Sequence, residues 1–518
     1  MTNAPRSNAT PAQVTMTLSA IAATAATPRP SGETLQEQGR RAMVGIAAQL
    51  HNPGLATGGT WDLMWLGISP DNANLAYIAR NSTGANQFAV VVRGTISNPT
   101  DMMEDLDVGT VVPFTPGGSS NTAVSAGAMA AFTQVASARG ITWAPGRQVP
   151  DGGPAIPDLG DAAGGTLHQA LAGLLASAPS KPTVYVTGHS LGGCIATMLA
   201  TYLQAQTWTN QPQFALLTFA APTAGLKSFA DYVNSRQWAL NERYVNAYDV
   251  IPRAWSDLAT AKGWYPGPGP TATEDVKILL TEIDVLRKGN VYVQPSAQST
   301  KTMNGDYGKY NKDLVNKTTS DFLGQMAYQH ANSTYLYLLD AAEVPAGPVV
   351  TSVTPTIGQG GTQVVIDGSG FTEDSFVDFG PIPCTNVTVD NSGNRITATA
   401  PDGTGLVDIR VTNTLGTSPA ILLGRFAYGG PAPVAVSAVS PRTGKAGSQV
   451  TIDGSGFAQG ATVRFKDTVA ASPTIKGPTQ IVINVPARLP DPKTVDVTVT
   501  VGVATSSTGP EDEFTYAL

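Results

Sequence analysis

Residues 183–206 read TVYVTGHSLGGCIATMLATYLQAQ, and this stretch decides the fold of the 518-residue chain. The apolar run TVYVT predicts a buried strand, and the run that begins at Cys194 has the apolar spacing of a helix. Between them, GHSLGG predicts a sharp glycine-rich turn. A strand, such a turn and a helix in this order are typical of a nucleophile elbow, which exposes a serine hydroxyl at the helix N-terminus. A bare GxSxG also occurs in ordinary turns, but the flanking strand and helix favour Ser190 as a catalytic nucleophile.

Strand and helix signals alternate around this turn. Three apolar runs, TWDLMWLGIS, NLAYIARNS and QFAVVVRGT, predict strands separated by turn residues. Helical spacing begins near Glu33 and recurs over residues 123–138 and 166–178. Strands that alternate with helices indicate a mainly parallel sheet, so we predict an α/β domain over residues 33–342.

A serine needs a neighbouring imidazole to act as a nucleophile, and the chain has four histidines. His51 ends the first predicted helix, His168 lies in the helix before the TVYVT strand, and His189 lies inside the turn, where we expect it to point away. When the nucleophile, the acid and the histidine follow one another in that order, only His330 remains. The alternative is that His330 is a packed helix residue.

The third member of such a triad is a carboxylate that orients the imidazole. Asp249 ends the predicted strand RYVNAY and precedes Ile251 and Pro252, at the carboxyl end of a strand, where sites of open α/β folds lie. An Asp before Pro also commonly caps a turn, which is the structural alternative. Asp231 and Asp257 are weaker candidates for the acid.

Acyl transfer also needs hydrogen-bond donors for an oxyanion. The backbone N–H of Leu191, the residue after the nucleophile, is one predicted donor. Thr95, at the end of QFAVVVRGT, is the second, although a Gly-Thr turn without a role is a competing interpretation.

An internal repeat occupies the last third of the chain. IDGSGF occurs at residues 366 and 452, and PTIG at 355 corresponds to PRTG at 441, an offset of 86 residues in both cases (452 − 366 and 441 − 355). Short strands with period-two alternation and no helix signal predict two all-β immunoglobulin-like sandwiches, over residues 348–428 and 433–518. These repeats resemble IPT/TIG domains.

The N-terminal residues 1–32 are expected to form a disordered tail. A Thr-rich run at 14–27 has a faint likeness to a secretory signal, but no basic cluster precedes it. The sequence therefore leaves the export route open, and we expect a secreted or cell-surface location without a convincing signal peptide.

Charge and composition exclude several classes of function. The net charge is -7 and no block of Lys or Arg is present, which argues against binding to nucleic acid or to anionic membranes. No apolar stretch reaches about 18 residues, so no membrane-spanning helix is expected. Cys194 and Cys384, the two cysteines, fall in different predicted domains, which argues against an intramolecular disulfide.

Together, VVRGT, GHSLGG, YVNAYDVIP and AYQH resemble the motifs of class 3 (fungal-type) lipases, over residues 85–340. The resemblance implies an α/β-hydrolase fold, hydrolysis of acylglycerols, or of phospholipids or galactolipids in some members, no cofactor or metal, and a short lid after the oxyanion strand. The lid position holds NPTDMMEDLDVG, in which Met102, Met103 and Leu106 would form an apolar stripe. An ordinary acidic surface turn is the alternative, and a calcium site is a weaker one.

We therefore predict a serine carboxylic-ester hydrolase, and a triacylglycerol lipase is the leading interpretation. A phospholipase A1 or a short-chain carboxylesterase would use the same mechanism. A surface-binding protein with a vestigial hydrolase domain is the alternative from another class, and the two sandwiches, which could bind a surface, a glycan or a protein, support it. Two departures from the family pattern are a Pro/Gly-rich insertion at about 140–165 and a long stretch between Asp249 and His330.

Overall fold

The computed structural model describes residues 9–25, 34–94, 107–142, 164–258, 274–295, 299–303, 319–384, 386–418, 421–428, 434–458, 460–487, 494–501 and 504–517. The chain divides into two compact units, and the main boundary between them lies at Ala346 and Gly347. Cys194 and Cys384 are buried and unpaired, one in each unit.

The first unit combines helices with one large sheet. Its helices are α1 (Pro11–Ala23), α2 (Leu35–Leu50), α3 (Ala126–Ser137), α4 (Leu167–Ala176), α5 (Leu191–Gln204), α6 (Lys227–Ser235), α7 (Glu274–Leu286), α8 (Thr319–His330) and α9 (Asn332–Leu338), with a 3₁₀ helix at Ile251–Arg253. Its strands are β1 (Trp61–Ile68), β2 (Leu75–Asn81), β3 (Gln87–Val92), β4 (Val111–Pro113), β5 (Ala123–Ser125), β6 (Thr183–His189), β7 (Gln213–Phe219), β8 (Leu240–Asn246) and β9 (Thr300–Met303).

The sheet has seven strands in the order β1-β2-β3-β6-β7-β8-β9. The first three strands pair antiparallel, and every pair from β3 to β9 is parallel. In this register Val92 lies opposite Gly188, so the end of β3 lies beside the turn that carries Ser190. The predicted α/β class with a mainly parallel sheet is confirmed.

Helices cover both faces of the sheet, because its central strands are apolar on both sides. Alternate residues of β3, such as Val90 and Val92, pack in one cluster with α3 to α6, whereas Ala89 and Val91 pack in another with α1 and α2. The helix predicted over 123–138 begins later, at Ala126, because the Ser125 hydroxyl accepts the N–H of Ala128 and caps it.

The prediction of a disordered tail is wrong for residues 11–23, which form α1. Thr10 and Gln13 make a capping box, with Pro11 at the first helical position. The Thr15 and Ser19 hydroxyls bond to carbonyls one turn earlier, so these polar side chains can be buried. The Thr-rich composition that suggested a tail therefore suits a buried helix, and the Tyr77 hydroxyl donates to the Leu18 carbonyl beneath it (2.7 Å).

We expect Ile21→Ala to lower the free energy of unfolding of the first unit by about 2–5 kcal/mol, because Ile21 is fully buried in α1. Urea unfolding followed by tryptophan fluorescence measures this unit alone, since all seven tryptophans precede residue 265. The control Val291→Ala, at a side chain that is 67% exposed, should change stability by less than about 0.5 kcal/mol. An equally small change for Ile21→Ala would mean that α1 does not pack on the sheet.

The second unit consists of two mainly antiparallel sandwiches that follow the sequence repeat. The first has strands β10 (Val349–Thr354), β11 (Ile357–Gly358), β12 (Gln363–Ser369), β13 (Phe376–Phe379), β14 (Ile382–Pro383), β15 (Val387–Val389), β16 (Arg395–Thr399), β17 (Leu406–Asn413), β18 (Gly416–Thr417) and β19 (Arg425–Tyr428), with a 3₁₀ helix at Leu422–Gly424. The second has strands β20 (Ala435–Ser440), β21 (Thr443–Gly444), β22 (Gln449–Ser455), β23 (Thr462–Phe465), β24 (Thr468–Ala470), β25 (Thr474–Gly477), β26 (Gln480–Asn484), β27 (Thr494–Val501), β28 (Ala504–Thr505) and β29 (Glu513–Tyr516).

Both sandwiches have the same construction. Each pairs a four-stranded sheet with a six-stranded one, and the equivalent edge strands β10 and β20 carry a bulge at the same place. Each core contains a pair of phenylalanine rings in edge-to-face contact, Phe379 with Phe426 and Phe465 with Phe514. The predicted tandem immunoglobulin-like sandwiches are confirmed. Among the helices described in either unit, none is long and apolar enough to cross a bilayer.

Candidate active site

The turn between β6 and α5 holds Ser190 in an uncommon backbone conformation, with φ 60° and ψ -134°. Glycines make this turn sterically allowed. A Cβ on Gly188 would lie 2.4 Å from the carbonyl carbon of Gly192, and one on Gly192 would lie 2.3 Å from the Val92 oxygen. The strained serine is therefore fixed between two strands and a helix, as a nucleophile elbow requires.

Ser190, His330 and Asp249, the predicted triad residues, lie in one hydrogen-bonded line. The Nδ1 and Oδ2 atoms of His330 and Asp249 are 2.9 Å apart, and Nε2 of His330 is 2.8 Å from the Ser190 hydroxyl oxygen. Because a carboxylate can only accept, Nδ1 carries the proton and Nε2 accepts from the serine. All three side chains are buried, with Asp249 fully so. This arrangement can move a proton from the serine to the imidazole.

Asp249 serves the turn as well as the imidazole. Its Oδ1 accepts the backbone N–H of Ile251 at 3.0 Å, at the start of the 3₁₀ helix. Its Oδ2 accepts both from His330 and from the Tyr335 hydroxyl, which lies 2.8 Å away. Asp249 therefore caps the turn at Ile251 and also bonds to the imidazole of His330.

Tyr335 is a site residue that the sequence analysis missed. Its hydroxyl donates to Asp249 and accepts the backbone N–H of Asn246 at 3.0 Å. Burial, followed by the charge of Asp249, raises the pKa of Tyr335 well above its usual value, so the hydroxyl remains a donor. Nothing in the run YLYLL distinguishes this tyrosine from its neighbour Tyr337, which is 50% exposed.

The end of β8 also holds the end of α8 in place. The Asn246 side chain donates to the backbone oxygen of Gln329 (3.0 Å) and to its side-chain oxygen (2.6 Å). Together with Tyr335, this pins the chain on both sides of His330 to the strand that precedes Asp249. The imidazole position is thus defined by buried hydrogen bonds.

The remaining histidines lie in other surroundings. His189 packs its ring against those of His330 and Tyr335, with centroids 4.8 and 5.3 Å away, and burial lowers its pKa well below the usual value. His168 packs against Trp208, and His51 bonds to Asp62. None of these three has a hydrogen bond to Ser190 in the described structure.

The two alternative acids are engaged in ion pairs with nearby basic side chains. Asp231 pairs with Lys227, and Asp257 pairs with Arg253. Within the described residues, only Asp249 among the three candidates bonds to His330.

The predicted oxyanion donors are placed only in part. Leu191 is the first residue of α5, and the first N–H groups of a helix have no partner inside the helix, so they favour negative charge. A Cβ on Gly94 would lie 2.9 Å from the His189 oxygen and 3.3 Å from the Ser190 Cβ, so the end of β3 packs against the nucleophile turn. Thr95 follows Gly94 in sequence but lies outside the described residues, as do Met102, Met103 and Leu106.

An apolar cluster adjoins the triad, and we call it the triad-side cluster. Its buried members are Val108, Val250, Ile251, Ala254, Trp255, Leu258, Val276, Leu280, Ile283, Tyr292, Phe322 and Met326, and Leu191, Leu226, Tyr248 and Leu323 pack against it. It includes residues next in sequence to Ser190 and to Asp249, together with residues of α8, which ends at His330. No group of three or more His, Cys, Asp or Glu side chains that could hold a metal occurs in the parts of the chain that the structure describes.

Comparison with known proteins identifies the two kinds of domain. Residues 89–258 match the family model for lipase (class 3), and residues 348–423 and 433–516 match that of the IPT/TIG domain. Both resemblances predicted from the sequence motifs are confirmed.

A curated relative and a solved structure are similar to parts of the chain. The secreted mono- and diacylglycerol lipase 1 of Fusarium solani is 36% identical over 84 residues, which is 16% of this chain. The chain spans about a quarter of that relative, since the match covers 24% of it. The crystal structure of M37 lipase aligns with a TM-score of 0.52 and 21% identity, over 64% of this chain and 92% of that one, which shows a common fold.

Proposed function

We propose that this chain, with its class 3 lipase region, is a serine hydrolase of carboxylic esters and that its substrates are acylglycerols. The observation that carries the proposal is the buried line from Ser190 through His330 to Asp249, with both heavy-atom distances under 3 Å. Such a line makes a serine nucleophilic by giving its proton an acceptor.

We propose a reaction in two stages, which the geometry of the three residues supports. The Ser190 oxygen attacks the ester carbonyl while its proton passes to Nε2 of His330, and Asp249 stabilises the imidazolium through Nδ1. The oxyanion takes the Leu191 N–H and, as we propose, that of Thr95. The imidazolium then protonates the departing alcohol, which leaves an acyl-serine. Water then attacks the acyl carbonyl while His330 takes one of its protons. The bond to the Ser190 oxygen breaks, the imidazolium returns the proton to that oxygen, and the acid leaves.

Two observations support acylglycerols as the substrate class. The partly buried side chains that pack against the triad-side cluster include Leu191, directly after Ser190, and they offer an acyl chain apolar contacts near the nucleophile. The relative from Fusarium solani is named a secreted mono- and diacylglycerol lipase, which also supports a secreted location for this chain.

Hydrolysis of p-nitrophenyl esters from acetate to palmitate, and of tri-, di- and monoacylglycerols and phosphatidylcholine, tests the proposal. We expect cleavage of dissolved esters, with acylglycerols preferred among the lipids. A fluorophosphonate, which reacts with activated serines, should label Ser190. Preference for phosphatidylcholine would indicate a phospholipase A1, and preference for short esters a carboxylesterase. If neither hydrolysis nor labelling occurs, the hydrolase domain is vestigial.

We expect Tyr335→Phe to lower kcat/KM on dissolved esters by about 10-fold, because one hydrogen bond to the buried Asp249 carboxylate is lost while the ring remains. Steady-state kinetics on p-nitrophenyl butyrate measures the effect. Tyr337→Phe, at a half-exposed ring two residues later, is the matched control and should retain activity. Equal kcat/KM values for the two variants would show that Tyr335 does not position Asp249.

We propose that the catalytic domain spans residues 33–342, with α1 packed on it, and that the IPT/TIG domains span 348–428 and 433–518. We also propose that these domains bind a surface, a glycan or a protein.

We propose that Met102, Met103 and Leu106 belong to a lid. Replacement of all three by Ser should lower turnover of emulsified lipid much more than turnover of dissolved esters.

Truncation after Ala346 should leave activity on dissolved short esters largely intact, because each unit has its own apolar core. Expression of residues 1–346 and comparison of kcat/KM on p-nitrophenyl butyrate tests this. An insoluble or unfolded product, judged by tryptophan fluorescence, would show that the first unit needs the sandwiches.

A further inference from the structure

An apolar face without a partner in the described structure lies on α7 and the turn after it. Ile278, Val285, Leu286 and Val291 are 55%, 68%, 42% and 67% exposed. The described part of the chain exposes nine large hydrophobic side chains, and these four fall within 14 residues of sequence. We call them the α7 apolar face.

This face is not the one by which α7 packs. Val276, Leu280 and Ile283 are buried and belong to the triad-side cluster. These positions follow the helical period, and Ile278 and Val285 lie on the other side of the helix. The helix is therefore apolar on two faces, of which the fold of the first unit uses one.

The position of α7 relates its outer face to the triad. Its inner face packs in a cluster with Leu191, which follows the end of β6, and Ile251, which follows the end of β8. Its helix therefore lies on the carboxyl-end side of the sheet, as Ser190 does. Because the inner face packs in this cluster, the exposed outer face is directed away from it.

Hydrogen bonds tie the end of this region to another segment on that side. The Asn290 side chain donates to the Val108 and Gly109 oxygens, both at 3.2 Å, and the Tyr292 hydroxyl donates to the Val108 oxygen at 2.7 Å. The turn that carries Val291 is thereby held in place.

The charged side chains around the α7 apolar face favour binding to an uncharged lipid surface over an anionic one. Residues 274–291 contain four acidic and three basic side chains, a net charge of -1 (3 − 4). Two of the basic groups form ion pairs, Lys277 with Glu274 and Arg287 with Asp284. No basic cluster is left to attract anionic headgroups, so the apolar side chains are the attractive feature.

We propose that the α7 apolar face docks the enzyme on the surface of an uncharged lipid aggregate, so that the aggregate meets the side of the sheet that carries Ser190. The inference rests on the proposed function, because it names how the same site reaches acylglycerols. Insertion of the four side chains into the acyl region removes them from water, and the rest of the helix stays at the interface.

The test replaces Ile278, Val285 and Val291 together with Ser. We expect hydrolysis of a tributyrin or triolein emulsion to fall at least about 10-fold, and kcat/KM on dissolved p-nitrophenyl acetate to stay within about 2-fold. The matched control replaces Leu406, Leu423 and Val469 with Ser, three side chains that are 40%, 42% and 49% exposed in the second unit. This control should hydrolyse both substrates at the wild-type rate.

Adsorption separates docking from catalysis. Ser190→Ala protein should sediment with phosphatidylcholine-coated triolein particles. Adding the three α7 substitutions to this variant should abolish the sedimentation. Both results should be the same whether or not the coat contains anionic lipid. Unchanged adsorption, an equal fall on both substrates, or the same loss in the control would overturn the proposal. So would a dimer, seen by sedimentation velocity, that the α7 substitutions dissociate, because a second copy would then cover the face. Absence of any ester hydrolysis by the wild type would instead refute the proposed function and leave the adsorption result intact.

Discussion

Ser190→Ala and His330→Ala should each lower kcat on a dissolved ester by several orders of magnitude while leaving the fold intact. The first removes the nucleophile and the second removes the base that lies 2.8 Å from it. Asp249→Asn should cost about 10⁴-fold or somewhat less, because an amide at this position can leave the imidazole in the wrong tautomer. Kinetics on p-nitrophenyl butyrate, with tryptophan fluorescence as the check on folding, measures all three.

The same experiment distinguishes a working triad from three separate contributions. Combining Ser190→Ala with His330→Ala should add little to either change alone, because the residues act as a unit. His168→Ala is the control, since this ring packs against Trp208 and not at the elbow. Near-normal activity in folded His330→Ala protein, or its loss in His168→Ala, would show that another base serves Ser190.

Gly192→Ala should have the next largest effect, a fall in kcat/KM of about 100-fold or more. The added methyl would lie 2.3 Å from the Val92 oxygen and within 2.9 Å of Arg93 backbone atoms, so the end of β3 and the nucleophile turn must separate. Misplacement by about 1 Å at a reacting centre can cost this much. The measurement is kcat/KM on a dissolved ester.

Gly173→Ala provides the control for the glycine substitution. This glycine lies in α4, and a Cβ there would meet nothing within 4 Å. Alanine is favoured over glycine within a helix, so activity should remain and stability should not fall. If Gly192→Ala were as active as Gly173→Ala, the close packing of the turn would not matter to catalysis.

Sequence alone predicts the elbow well, because its signal is local: the strand, the turn and the helix are contiguous around Ser190. His330 was predicted by elimination, since no other histidine follows the serine. Asp249 was predicted from its place after an apolar strand. The structure brings these three side chains together although His330 is 81 residues from Asp249 and 140 from Ser190.

The residues that sequence reasoning missed act through contacts that no local pattern records. Tyr335 reaches Asp249 across 86 positions, and a tyrosine in an apolar helix has the same signal whether it bonds to an acid or merely packs. The α1 helix was missed for a different reason. Its capping box, Thr10 with Gln13, can be read from the sequence. The burial of its Thr and Ser hydroxyls cannot, because it depends on helical bonds that form only once the helix exists.

The placement of α1 also affects the order in which the chain acquires its structure during synthesis. Gln13 donates to the Leu339 carbonyl, a contact that spans 326 positions, and α1 packs against β6 and α9. A ribosome releases α1 long before it has made β6 or α9, so Met16, Leu18 and Ile21 lack those partners while the residues between are translated. Contacts between residues far apart in sequence slow folding and lengthen the time in which apolar surface is exposed to solvent. We therefore expect α1 to dock only after β6 and α9 have formed, and its apolar side chains to be open to chaperones until then.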